Sequence, residues 1–190
     1  MRLVLTFCGW LLGGLMVLAH AGDLGTALQS GQHVLLMRHA LAPGVGDPPG
    51  YVLSRCDTQR NLDETGRRQA TRAGQWLRAQ GVRNAVVLSS PWCRCRETAE
   101  RLGFGAVRTE ASLASFFDQP EREAAHNQQL QQLIARELAT RGAAHMPLIL
   151  VTHHVNIRAF MGRDIGSGDM VLARVDPQGR MLEYRLIASP

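Results

Sequence analysis

The sequence predicts a three-layer α/β sandwich: a mainly parallel central sheet flanked by helices, with antiparallel strands at its C-terminal end. Three observations carry this prediction. Short apolar runs of strand length alternate with longer segments of helical periodicity. The last two apolar runs are separated only by the turn signal Pro177-Gln178-Gly179. A chain of 190 residues with 45% hydrophobic content supplies one substantial core rather than two small ones.

Residues 1–21 stand apart. Arg2 is followed by an apolar run from Leu3 to Ala19 and then by Ala19-His20-Ala21, a secretory signal pattern with its cut after Ala21. A retained membrane anchor is the rival reading, but the apolar length is marginal for a span and the small-x-small ending favours removal. The folded domain is therefore expected over 22–190, periplasmic or secreted, with no stable membrane insertion once the leader is gone.

His33 to Met37 reads as the first buried strand, and the Pro/Gly-rich stretch Pro43 to Gly50 as a loop after it. Asp63 suits the N-cap of a helix running to about Gln80, with Ala70, Ala73, Trp76 and Leu77 on its apolar stripe. Ala85 to Leu88 is a second buried strand. Ser89-Ser90-Pro91 ends it before a helix from about Trp92 to Leu102. Leu130, Leu133, Ile134 and Leu138 recur at helical spacing, which predicts a helix from Pro120 to about Thr140. Leu148 to Val151 is the third strand, followed by a short helix from about Val155. Met170 to Val175 and Met181 to Ile187 read as the antiparallel pair.

The net charge of +5 is carried by arginine, since the chain contains no lysine. The planar guanidinium fork suits phosphate, yet the basic residues are interspersed with acidic ones, so nucleic acid is not implied. With Cys8 in the leader, Cys56, Cys93 and Cys95 remain in an oxidising compartment, and a bridge from Cys56 to Cys93 or Cys95 is expected. The Cys-x-Cys spacing is not that of a zinc knuckle, so no metal site is predicted.

Chemistry-bearing residues follow three predicted strands: Arg38-His39, then Ser90-Pro91-Trp92-Cys93-Arg94, then Thr152-His153-His154. Ligands of open α/β sheets gather at such strand ends. Two histidines facing two arginines suit phosphoryl transfer. The guanidinium groups neutralise the equatorial oxygens while a neutral imidazole attacks in line, and a second, protonated histidine adds a donor. Nothing in this scheme requires a cofactor.

These blocks resemble the histidine phosphatase superfamily, the phosphoglycerate mutase-like group. Leu35 to Ala40 is similar to its Arg-His-Gly signature, Ser89 to Glu100 to its Ser-Pro-x-x-Arg-x-x-(Glu/Gln)-Thr-Ala segment, and Val151-Thr152-His153 to its second histidine block. Asn61 to Ala70 resembles the opening of the family's Gly-x-x-Gln-Ala helix. The resemblance implies that His39 becomes phosphohistidine and that Arg38, Arg94 and His153 hold the phosphoryl group. Ala40 and His154 stand where glycine is common, and His154 either contacts substrate or merely crowds the pocket.

The family's usual glutamate is replaced by Ser115, leaving Asp118 and then Glu121 as the nearest candidates for the general acid. Each has a structural alternative, with Asp118 capping the following helix and Glu121 favoured at its start. Asn156 is expected to cap the short helix after the third strand. The activity implied is that of an exported phosphomonoesterase acting on a small phosphorylated substrate, with an envelope phosphosugar as one candidate. A phosphoglycerate mutase-like transferase and a non-catalytic phosphate-binding protein are the alternatives.

Overall fold

The computed structural model describes residues 23–141 and 146–190; the leader, with its cleavage site, lies outside the described residues. Among the described residues six strands form one sheet in the order β3-β2-β4-β1-β5-β6: β1 His33–Arg38, β2 Val86–Ser89, β3 Val107–Thr109, β4 Leu148–Thr152, β5 Met170–Val175 and β6 Met181–Ile187. The first four are parallel. β5 runs antiparallel to β1 and β6 antiparallel to β5, as the turn signal between them requires.

β1 and β4 read as continuous apolar runs because both sheet faces are covered. Alternate residues serve opposite cores. Leu35 and Met37 of β1 pack with Val87, Ile149 and Val151 against helices α1 (Asp23–Gln29), α2 (Glu64–Ala79) and α3 (Cys93–Arg101). Val34 and Leu36 join Leu88, Leu148 and Leu150 against α4 (Glu123–Thr140) and α5 (His154–Met161). This period-two division makes the predicted three layers.

Helix boundaries follow local chemistry. The Asp63 carboxylate accepts from the Gly66 amide at 2.7 Å, capping α2 as its sequence predicts. Gly66 is required for another reason: a methyl group there would run into the carbonyl oxygen of Leu41, so only glycine lets α2 approach the segment that follows β1 so closely. Asn156 does not cap α5. The cap residue is His153, and Asn156 is buried within the helix, donating to the Ala114 carbonyl at 2.9 Å. Likewise Asp118 is not the cap of the turn that precedes α4. Residues Pro120–Arg122 form a 3₁₀ turn behind Gln119, and α4 starts only at Glu123.

Two elements carry no sequence expectation, α1 and β3. The three residues of β3 are half-buried or exposed and sit at the sheet edge, too short for an alternation to register. The cysteine expectation resolves to Cys56–Cys93, with Cα atoms 5.6 Å apart, and Cys95 is a buried free thiol.

Candidate active site

The parallel topology carries the C-terminal ends of β1, β4 and β2 side by side. The His39 amide donates to the Thr152 carbonyl at 3.0 Å and the Ser90 amide to the Val151 carbonyl at 2.9 Å, which keeps the residues after each strand in step. Above them opens a cavity of about 330 Å³. Arg38, His39, Arg94, His153 and Asp118 all line it, as do Asp47, Arg60, His154, Arg158 and Asp164. Glu121 does not.

His39 is buried, and its Nδ1 faces the Ala40 carbonyl at 2.8 Å. A carbonyl can only accept, so Nδ1 carries the proton and the lone pair lies on Nε2. Burial, reinforced by the positive charges of Arg94, Arg60 and Arg38, holds the imidazole pKa well below the ordinary 6.5, although the Ala40 bond opposes the shift. His39 is therefore a neutral nitrogen base among cations.

His153 lies beside it, with ring centroids 5.5 Å apart and the rings nearly edge to face. Its pKa is also driven well below 6.5, chiefly by burial and then by Arg94 and His39, so the unliganded ring is neutral rather than protonated as the sequence suggested. One tautomer still offers a donor. His153 Nε2 lies 2.8 Å from the Ser90 hydroxyl and 3.5 Å from the Cys95 thiol; accepting from either leaves the ring proton on Nδ1.

The arginines are fixed by protein acceptors. Arg38 Nη1 donates to the Ile165 carbonyl at 2.7 Å. Arg94, in the first turn of α3, donates through Nη1 to both carboxylate oxygens of Asp47, at 2.8 and 3.1 Å. Arg60 Nε donates to the Gly46 carbonyl at 2.7 Å and its Nη1 to the Ala42 carbonyl. The Nε atoms of Arg38 and Arg94 are buried without an acceptor among the described residues, where an anion would be welcome. Four arginines against three aspartates line the cavity, which suits an anionic ligand.

His154 is half-buried, 5.7 Å from Phe117 between ring centroids, and its pKa is lowered by burial first and by Arg38 next. Asp118 and Asp164 are the carboxylates of the outer cavity. Sequence reasoning missed Asp47, Arg60, Arg158 and Asp164. A signal existed only for Arg60, which stands immediately before the Asn61 to Ala70 block. Among the described residues, no group of three or more His, Cys, Asp or Glu side chains is arranged to hold a metal ion.

Fold and site together define an α/β protein with a cavity lined by histidines and arginines at its strand ends. Residues 34–114 match the family model of the histidine phosphatase superfamily (branch 1). Among solved structures, a mycobacterial glucosyl-3-phosphoglycerate phosphatase bound to VO3 is similar at 18% identity and TM-score 0.57, over 82% of this chain and 97% of that one. The protein histidine phosphatase SixA complexed with tungstate aligns at 19% identity and TM-score 0.51, over 82% and 94% of the two chains. Phosphoserine phosphatase from Entamoeba histolytica, bound to 3-phosphoglyceric acid, aligns at 13% identity and TM-score 0.54, over 74% and 89%. At these identities the likeness is one of fold. No curated protein matches the sequence.

Proposed function

We propose that this protein is an exported, metal-independent phosphomonoesterase that carries the phosphoryl group on His39. The observation that carries the reading is the neutral His39 ring, its Nδ1 proton committed to the Ala40 carbonyl, set among Arg38, Arg60 and Arg94 in one cavity. His39 Nε2 attacks phosphorus and the bond to the leaving oxygen breaks. Arg38, Arg94 and the His153 donor take up charge on the equatorial oxygens. Water then attacks the phosphohistidine, releasing phosphate and restoring the neutral imidazole.

The leaving oxygen needs a proton, and Asp118 is the candidate donor on the cavity wall, with Asp164 the next. A cavity of about 330 Å³ is at the small end of the range for small-molecule sites, which favours a compact phosphorylated metabolite or an envelope phosphosugar. Export rests on the leader sequence and agrees with the Cys56–Cys93 bridge, since such bridges persist in oxidising compartments.

The test is phosphate release from an activated aryl phosphate with a chelator present, comparing the wild type with His39→Ala. The expected loss in the variant is roughly 10⁴-fold or more, as for other nucleophile deletions. Chelator-sensitive turnover contradicts metal independence; phosphate binding without turnover makes the protein a binding protein; isomerised product without free phosphate makes it a mutase.

A further inference from the structure

Among the described residues that line the cavity, Asp118 and Asp164 are exposed carboxylates, and Asp47 is the carboxylate that is not. It sits in the Pro/Gly-rich loop, yet its side chain is only 5% exposed, against 4% for its partner Arg94. A carboxylate beside the place of a phosphate dianion repels it, so its presence there calls for a compensating gain.

That gain lies in what Asp47 touches. Besides Arg94 Nη1, it accepts from Trp92 Nε1 at 3.0 Å and from the Arg60 amide at 2.9 Å. All three of these hydrogen-bond partners are donors. The loop that presents Asp47 is itself fastened to the start of α3: Cys56 is bridged to Cys93, and Gln59 Oε1 accepts from the Cys93 amide at 3.0 Å. Arg94 Nη1 also approaches the Arg60 carbonyl, at 3.4 Å.

We infer that Asp47 is a positioning residue that fixes the Arg94 guanidinium, together with Trp92 and Arg60, in the orientation that receives the phosphoryl group. One edge of Arg94 is spent on Asp47 so that the remainder is held rigid rather than left to swing on a flexible side chain. Both Asp47 carboxylate oxygens are already engaged by N–H donors, which places the side chain to orient Arg94 rather than to serve a leaving group. The inference rests on the phosphatase reading for its role in turnover, but its effect on phosphate affinity stands independently of that reading.

Asp47→Asn separates these roles. Its amide nitrogen must face one of the donors that the carboxylate satisfied, so Arg94 or Trp92 loses its anchor. The experiment measures inhibition or binding by inorganic phosphate, and kcat and KM on one aryl and one alkyl phosphate, with a thermal melt to confirm folding. The expected result is phosphate affinity and kcat/KM both reduced, by about 10- to 100-fold, the range for losing a group that orients a ligand-binding residue. The factor is the same for good and poor leaving groups.

Trp92→Phe, which removes only the Nε1 donor, shifts both in the same direction by a smaller factor and serves if Asp47→Asn does not fold. A loss confined to the alkyl phosphate, with phosphate affinity unchanged, overturns the inference by making Asp47 the acid. Tighter phosphate binding overturns it by making Asp47 a brake on product affinity. A wild type that binds phosphate without turnover refutes the phosphatase reading alone, and phosphate affinity then decides on Asp47.

Discussion

At the scale of single residues, the pocket is built around two imidazoles that burial and nearby arginines keep unprotonated. For His39 as the proposed nucleophile this is a requirement, since a protonated ring has no lone pair on Nε2. The depressed pKa keeps the lone pair of this proposed nucleophile free below the ordinary histidine value of 6.5. The acid limb of kcat/KM is expected below that value, and a limb centred at 6.5 contradicts the assignment. Stability follows with a defined sign. Because the folded-state values lie below the unfolded one, the unfolded chain takes up protons first, and stability present above pH 6.5 is lost as pH falls toward the folded-state values. The melting temperature is expected to be lower at about pH 5.5 than at about pH 7.5, and His39→Ala reduces that difference. His39, Arg38, Arg94 and His153 were legible in the sequence because each stands in a contiguous block next to a strand end. Asp47 was not, because its partner Arg94 lies on a separate helix and a turn-forming loop offers an ordinary reason for an aspartate.

At the scale of elements, strands buried on both faces announce themselves as apolar runs, and β1, β2 and β4 are found within a residue or so of their sequence limits. The β3 edge strand is too short to leave a pattern, and the 3₁₀ turn at Pro120–Arg122 delays α4 beyond what its apolar stripe reveals. The choice between Cys93 and Cys95 was open for a physical reason: on a helix, residues two apart face different ways. Cys93 turns to the loop and Cys95 inward to His153, where burial raises its thiol pKa to about 12 and keeps it inert. A bridge spanning 37 residues contributes about 4 kcal/mol by loop-closure entropy. Replacing Cys56 and Cys93 by serine is expected to lower stability by about 2–4 kcal/mol in denaturant unfolding. If the leader is removed as proposed, the intact mass is expected to correspond to a chain that starts at Gly22 and lacks two hydrogens. A reduced mass, or three free thiols in the unfolded chain, contradicts the pairing.

At the scale of the whole molecule, the sheet order places β1 and β4 side by side in the interior, with β2 next to β4. Residues far apart in the chain thus meet at one rim, Arg38 and His39 from the first strand and His153 from the fourth. Helix α3 brings Arg94 to the same rim from β2, and the loop after β1 folds back over it with Asp47 and Arg60. The layered architecture was legible from alternation alone, whereas that returning loop was not, because its contacts are to other segments.

The proposed chemistry requires that His39 form a covalent bond to phosphorus during turnover. Mixing the protein with a substrate labelled in its phosphate, quenching in alkali and mapping the labelled peptide tests this directly. Label is expected on His39, released by water at a rate consistent with turnover, with no label on His39→Ala. Turnover without label on His39, or label on another residue, contradicts it.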